Sequence, residues 1–234
     1  LWDTKQNRGI LARDRQGIKP CYLMDLPGGG FAFASEIKSL LSLPGVKTEI
    51  DDVGVNMMHS FNYCPPPRTC YKGVSHLSPG SYLEIAPDGS RTLRKYWSWP
   101  LSNEKEELSG DAFEALLDDA IRLQMRFDVD GCLFLSGGVD SSVIAAHLTK
   151  QWNRPRMLAF SLDCREEGFG EFHLAKSVAA KFDMIDLHPI SYDNSIVPDN
   201  IEAVLHHADQ PHGDFSFFLI RELCQTAHDA GVIV

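Results

Sequence analysis

The residues best suited to chemistry lie together in one loop of seven positions. Two neighbouring glycines let the backbone approach a phosphate oxygen without a Cβ in the way. Three hydroxyls add hydrogen-bond donors, and the single carboxylate, which phosphate alone would repel, suits a Mg²⁺ ion that bridges to phosphate. The composition therefore predicts a site for phosphate and magnesium. Its members are Ser136, Gly137, Gly138, Val139, Asp140, Ser141 and Ser142.

The elements on either side of this loop would position it for that task. Gly131–Leu135 is an apolar run typical of a buried strand, and Val143, Ile144 and Leu148 predict a helix that starts within the loop. At such a junction the first amides of the helix lack partners, and the positive end of the helix dipole faces outward. The loop lacks the lysine of a Walker A motif and the Gly-x-Gly-x-x-Gly spacing. A glycine-serine turn without a ligand is the alternative reading.

The chain after Ser109 alternates between helical and strand patterns. We predict strands at Arg156–Leu162, Met184–Ile190 and Val232–Val234, separated by helices with apolar residues on one face. Strands that alternate with helices favour a parallel sheet covered on both faces. The fold class predicted is therefore α/β, with a doubly wound parallel sheet.

Residues 1–97 have a different sequence pattern, in which short apolar segments are separated by turns rich in glycine and proline. We predict a β-rich domain over 1–97, a polar linker over 98–108, and the α/β domain over 109–234. One helix is expected at Glu36–Leu41. The proline run 64–68 excludes regular helix there, because consecutive prolines remove amide donors.

Bulk properties exclude several classes of protein. The formal net charge of −10 argues against a surface devoted to nucleic acid. No apolar run approaches the ~18 residues of a membrane span, so neither a nucleic acid nor a membrane is an expected partner. The six scattered cysteines fit a reduced, cytoplasmic protein. The absence of an initial Met and the strand-like ends predict a fragment of a longer protein.

Three other groups of residues are candidates for sites. His206, His207 and His212 suggest zinc, but two adjacent helical histidines should point apart, which favours surface histidines. Cys64 and Cys70 could hold a metal or form a disulfide, which a reduced compartment disfavours. Arg13 and Asp14 could contact glutamine or the domain interface, or could form an ion pair that holds the turn at Gly17.

The strand and loop together resemble a known family. Leu135–Ser142 is similar to the signature of the PP-loop ATP pyrophosphatases, in which the loop holds the β- and γ-phosphates of ATP. The preceding run, Arg126–Phe134, resembles that of glutamine-hydrolysing asparagine synthetases, although Asp130 stands where a proline is usual and Cys132 where a glycine is usual.

The resemblance extends over nearly the whole chain. Residues 12–20 and 33–38 are similar to the later part of that family's class II glutamine amidotransferase domain, which has the N-terminal-nucleophile fold. Residues 67–69, 73–74 and 77–80 are similar to its connecting segment. Phe160–Leu162 resembles the strand whose backbone reads adenine, and Asp209–Pro211 an acidic turn.

This resemblance implies a two-step reaction: a carboxylate, aspartate in the nearest relatives, is adenylated by ATP, and glutamine-derived ammonia then forms the amide. The implied partners are small molecules, with Mg²⁺ as cofactor and a homodimer as a possible assembly. No catalytic residue is assigned, because class II glutaminases use a first-residue cysteine and residue 1 is Leu. This chain alone should not hydrolyse glutamine. The resemblance assigns nucleotide binding to Leu135, Ser136, Gly137, Gly138, Asp140, Ser141, Ser142 and Leu162, with Asp140 also on Mg²⁺.

Two alternatives to an asparagine-forming enzyme stay open. The same loop could serve another acceptor, such as a sugar carboxylate or a peptide, or could serve intramolecular β-lactam closure. The other alternative is a protein of a different functional class, a non-catalytic ATP-binding or regulatory remnant. An intact loop argues against such decay.

Overall fold

The computed structural model describes residues 1–100, 107–164, 170–193 and 195–232. The chain divides into two compact units. The first comprises Leu1–Asn103 together with Leu205–Asp214, and the second comprises Glu104–Val204 with Phe215–Val234. Most of the predicted linker, 101–106, and the end of the predicted last strand, 233–234, lie outside the described residues.

The first unit is built from two antiparallel sheets. A four-stranded sheet has the order β1-β2-β6-β7, and a three-stranded sheet has the order β4-β3-β5. Two helices, α1 and α2, complete the unit. Its elements are β1 (Trp2–Asp3), β2 (Arg8–Ala12), β3 (Tyr22–Asp25), β4 (Phe31–Ala34), α1 (Ile37–Leu41), α2 (Asp52–Phe61), β5 (Val74–His76), β6 (Ser81–Ile85) and β7 (Arg91–Lys95).

Helix α1 supplies two fully buried side chains to the core of the first unit. Ile37 and Leu40 pack with Tyr22, Met24 and Val74 from the three-stranded sheet. The helix predicted at Glu36–Leu41 is thus present, starting one residue later. Residues 64–68 lie outside any helix, as predicted from the prolines.

The second unit holds a parallel sheet of three strands in the order β10-β9-β8. The strands predicted at 156–162 and 184–190 are present. Each begins one residue later and ends two residues later than predicted. Its elements are α3 (Gly110–Gln124), β8 (Leu133–Phe134), α4 (Val139–Gln151), β9 (Met157–Cys164), α5 (Phe172–Ala179), β10 (Ile185–Tyr192), α6 (Ile196–Ala208, whose last residues belong to the first unit) and α7 (Ser216–Asp229).

Alternating residues of β9 serve two separate apolar cores. Met157 and Ala159 pack with Ala145 of α4 and with Ala175 of α5. Phe160 instead packs with residues of α7 such as Leu223 and Ala227, and Leu158 and Leu162 join that cluster. Because successive strand residues point to opposite faces, helices cover both faces of this sheet.

Within the described residues, no helix combines the length and the apolar character that crossing a membrane would need.

Candidate functional site

The glycine-serine loop connects the end of a strand to the start of a helix, as the sequence predicts. Leu135 extends the parallel pairing beyond β8, since its amide donates to the carbonyl of Phe160 at 2.9 Å. Leu135 is 1% exposed, which anchors the start of the loop in the core. Gly138 is the N-cap of α4.

The loop leaves backbone amides at the start of α4 without acceptors. The first helical hydrogen bond runs from the amide of Ser142 to the carbonyl of Gly138, at 3.0 Å. The amides of Val139, Asp140 and Ser141 find no acceptor among the described residues. Three unpaired donors at the positive end of a helix form a favourable place for an anion.

The serine hydroxyls are organised by the loop itself. Ser136 Oγ accepts from the amide of Gly138 at 3.2 Å and lies 2.9 Å from Ser141 Oγ. Ser142 Oγ donates to the Gly138 carbonyl at 2.7 Å, and Ser141 Oγ does so at 3.2 Å. These bonds gather the three hydroxyls around Gly138, where they could turn toward a bound anion.

The structure requires glycine at one of the two glycine positions of the loop but not at the other. Gly137 has a φ of +82°, and a Cβ there would lie 2.4 Å from the amide nitrogen of Ala175 in α5. Gly138 has ordinary extended dihedrals, and a Cβ there would meet only Ser136 Oγ, at 3.4 Å. The fold therefore requires glycine at 137, whereas nothing in the described structure requires it at 138.

Asp140 stands exposed in the first turn of α4. Its carboxylate takes part in no hydrogen bond or ion pair among the described residues. An acidic residue in the first turn stabilises a helix through its interaction with the helix dipole, even without a ligand. A carboxylate without a partner among the described residues, in a loop that also carries unpaired amides, fits the oxygen ligands that Mg²⁺ prefers.

A cleft of about 270 Å³ opens beside the loop, wholly within the second unit. Three residues expected to touch nucleotide, Leu135, Ser136 and Leu162, line it. The other expected residues, Gly137, Gly138, Asp140, Ser141 and Ser142, follow directly along the loop but are not part of the lining. The lining is Phe134, Leu135, Ser136, Phe160, Ser161, Leu162, Cys164, Glu171, Tyr192, Leu219 and Leu223.

The resemblance indicated Leu135, Ser136 and residues 160–162 of this lining but not the rest. Leu219 and Leu223 carried a signal, because they are one helical turn apart on α7 and therefore share a face. Glu171, Cys164 and Tyr192 carried no such signal, because their place depends on where β9 and β10 end.

The other candidate groups have structural partners. Arg13 is buried and donates to the carbonyls of Lys19, Leu77 and Gly17, while Asp14 accepts from loop amides including that of Ile18 at 3.0 Å. The two side chains thus hold the Gly17 turn separately and not as an ion pair with each other. The amide hydrogen bonds hold the pKa of Asp14 below its usual range.

The histidines and cysteines also have structural surroundings. His206 and His207 do not point apart as expected, since their ring centres are 5.5 Å apart in an edge-on arrangement. Among the described residues, metal-ligand geometry is found instead at Glu114, Asp118 and His147, where Lys150 already pairs with Glu114 at 2.9 Å. Cys64 and Cys70 are buried thiols. Burial raises the pKa of Cys70 to about 11.

Comparison with known proteins identifies relatives for both parts of the chain. Residues 1–97 match the model of a glutamine amidotransferase domain, and residues 112–234 match the asparagine synthase model. "Asparagine synthetase [glutamine-hydrolyzing] 1" of Bacillus subtilis is 31% identical over 92% of this chain and 33% of its own length. "Amidase chyE" of Penicillium rubens is 28% identical over 100% of this chain and 37% of its own. The chain spans about a third of the length of these relatives.

Proposed function

The chain belongs to the asparagine synthase family, and from that premise we propose that it carries the ATP-binding core of a glutamine-dependent, amide-forming ligase. The observation that carries this proposal is the corner between β8 and α4, where three unpaired amides and three hydroxyls converge beside an apolar cleft. We propose a doubly wound sheet of the PP-loop type for residues 109–234, consistent with the helices on both faces of β9. Residues 1–97 would be part of an amidotransferase domain.

The cleft and the loop would bind different ends of ATP. The apolar walls from Leu135, Phe160 and Leu162 suit a purine, and the backbone at Leu162 would hydrogen-bond its edge. The amides of residues 139–141 and the hydroxyls of Ser136, Ser141 and Ser142 would hold the pyrophosphate portion. This division leaves the α-phosphorus near the mouth of the cleft.

The reaction would proceed in two balanced steps. An acceptor carboxylate oxygen attacks the α-phosphorus, the bond to the β,γ-diphosphate breaks, and an acyl-adenylate and pyrophosphate form. Ammonia released from glutamine then attacks the acyl carbon, AMP leaves and one proton is released. The loop would lower the barrier of the first step by stabilising negative charge that develops on the departing pyrophosphate.

Asp140 is the residue that would hold Mg²⁺. When bound, the ion would neutralise phosphate charge and so favour departure of pyrophosphate. The fit rests on the exposed Asp140 carboxylate, which has no partner among the described residues and belongs to the residue just before Ser141 in the loop. Aspartate as acceptor is supported by the names of the relatives. A homodimer and a cytoplasmic location stay predictions.

Exchange of labelled pyrophosphate into ATP tests the proposal directly. Wild-type protein should catalyse an exchange that depends on aspartate and Mg²⁺, and Asp140→Ala should abolish it. Asp199→Ala, which alters another exposed aspartate near the start of a helix, is the matched control and should exchange normally. Normal exchange by Asp140→Ala would contradict the metal role.

A second candidate function is adenylation by ATP of a carboxylic acid other than aspartate. This candidate is favoured by the Penicillium rubens relative, which is named an amidase and whose match covers 100% of the present chain. Exchange measured with a panel of acids in place of aspartate separates the two candidates. Exchange that responds to another carboxylate and not to aspartate would select the second.

A further inference from the structure

Glu171 contributes a carboxylate to an otherwise apolar and weakly polar cleft. Among the described lining residues it is the only one with a carboxylate, beside aromatic and aliphatic side chains, two serines and a thiol. A carboxylate among apolar lining residues fixes the orientation of a ligand more than it adds apolar affinity. Its presence calls for a ligand group that donates hydrogen bonds.

The position of Glu171 is set from two sides. Its neighbour Gly170 approaches the end of β9 so closely that a Cβ would lie 3.3 Å from the carbonyl oxygen of Cys164. On the other side of Glu171, the first turn of α5 contacts the glycine-serine loop. A Cβ on Gly137 in that loop would lie 2.4 Å from the amide nitrogen of Ala175. Glu171 therefore lies between the end of β9 and the glycine loop.

Within the part of the chain that the structure describes, the Glu171 carboxylate has no protein partner. Glu171 is the N-cap of α5, yet its side chain makes no capping hydrogen bond. No other hydrogen bond or ion pair among the described residues uses its oxygens. Capping alone would favour Ser, Thr, Asp or Asn at this position. The choice of glutamate is therefore unexplained by the helix.

We propose that the Glu171 carboxylate binds the ribose hydroxyls of the nucleotide. The inference rests on the proposed function, because it needs the base in the apolar cleft and the pyrophosphate at the loop. The ribose joins those two parts, and Glu171 lies between the elements that would hold them. A carboxylate accepts from two neighbouring hydroxyls through charge-assisted hydrogen bonds, which are stronger than neutral ones. A phosphate at the same point would be repelled, which keeps the phosphates at the loop.

Calorimetric titration with Mg-ATP, Mg-2′-dATP and Mg-3′-dATP tests this assignment. Wild-type protein should bind at least one deoxynucleotide roughly tenfold or more weakly than ATP, as expected for the loss of a hydrogen bond to a charged group. Glu171→Ala should bind all three nucleotides with nearly equal affinity. Glu171→Gln keeps an acceptor oxygen without the charge and should fall between them.

The controls separate this inference from the proposed function. Glu202→Ala removes another exposed glutamate of the second unit and should reproduce the wild-type preference for ATP. Circular dichroism of Glu171→Ala checks that α5 remains folded. If wild-type protein binds ATP but Glu171→Ala keeps the full preference for ATP over its deoxy forms, the ribose assignment is wrong and the proposed function stands. If wild-type protein binds no Mg-ATP, both fail.

Discussion

The carboxylate of Asp209 lies 3.0 Å from the ammonium nitrogen of Lys38, although 171 positions separate the two residues in the sequence. Asp209 also accepts from the backbone amides of Ile37, at 2.6 Å, and Lys38, at 3.2 Å. One nearly buried side chain thus satisfies the start of α1 and attaches the segment Leu205–Asp214 to the first unit. Burial lowers the pKa of Lys38, but the hydrogen bonds to Asp209 and Glu36 outweigh it and raise the pKa.

Replacing Asp209 should destabilise the first unit. Asp209 has a φ of +65°, so glycine is the substitution that removes the side chain without backbone strain. We expect Asp209→Gly to lower the free energy of unfolding by about 1–3 kcal/mol, because it leaves amides of α1 without acceptors. Asp209→Asn, which keeps one acceptor oxygen and tolerates the left-handed conformation, should cost less.

Urea unfolding of the two Asp209 variants measures this effect. Gln210 accepts from the amide of Cys70 at 3.1 Å in the same segment, and Gln210→Ala provides a comparison with a single lost bond. Equal stability of Asp209→Gly and wild type would show that these contacts contribute nothing.

The two glycines of the glycine-serine loop should respond differently to alanine. Gly137→Ala introduces a Cβ at positive φ and against the backbone of α5, so we expect a loss of about 2 kcal/mol or more in unfolding free energy. Gly138→Ala meets only Ser136 Oγ and should cost below about 1 kcal/mol. The methyl group would nevertheless obstruct a phosphate oxygen, so binding of Mg-ATP should weaken.

Unfolding and nucleotide titration of both variants separate folding from binding. The informative variant is Gly138→Ala, which should be folded yet impaired in binding. A folded Gly138→Ala protein with wild-type affinity for Mg-ATP would mean that phosphate does not approach this position.

His76 should make the first unit sensitive to mild acid. Its Nδ1 is buried and finds no hydrogen-bond partner among the residues that the structure describes, and its ring lies 4.5 Å from that of Tyr22. Burial, and secondarily the charge of Arg13, lowers the pKa of His76 from 6.5 to about 4. Between those values the unfolded chain binds a proton that the folded chain does not, so stability falls as the pH drops through this window.

Replacement of His76 by phenylalanine tests that dependence. The aromatic ring is kept and the titrating group is removed, so we expect a gain in stability that is larger at pH 5 than at pH 8. His59→Phe, at an exposed position of α2, should show no such difference. An unchanged pH dependence in His76→Phe would assign the acid sensitivity to other groups.

The features predictable from sequence were those with a local signal. The loop at 136–142 combines a distinctive composition with an apolar strand before it, and the α1 core residues follow helical spacing. Strand β7 has no apolar alternation, and its residues are exposed throughout. It forms because the turn at Asp88 and Gly89 brings it alongside β6, where Ser81 pairs with Lys95.

Helix α2 and the Asp209 contact depend on distant parts of the chain. Gly54 sits inside α2 where it lowers helix propensity, yet a Cβ there would lie 2.2 Å from the carbonyl oxygen of Thr69. The close packing of this glycine is visible only once Thr69 is in place. The bond between Asp209 and Ile37 spans 172 positions, and no local pattern at either end indicates it.

Cys164 provides a chemical probe of the cleft beside the glycine-serine loop that is independent of catalysis. It is a partly exposed free thiol at the end of β9 that lines the cleft, whereas Cys21, Cys64 and Cys70 are buried. Burial raises the pKa of Cys132 and Cys224, which makes their thiolates scarcer at neutral pH. We therefore expect iodoacetamide to modify Cys164 first, and Mg-ATP to slow that modification because the nucleoside would cover the thiol.

Mass spectrometry of peptides after timed alkylation measures the rate at each cysteine. Magnesium pyrophosphate should protect Cys164 little, because it would occupy the loop and leave the cleft open, and rates at Cys132 and Cys224 should not change with nucleotide. Cys164→Ser should lose the fast-reacting site while still binding Mg-ATP. If saturating Mg-ATP leaves the rate at Cys164 unchanged, the adenosine does not lie against the end of β9, and the division of ATP between cleft and loop is wrong.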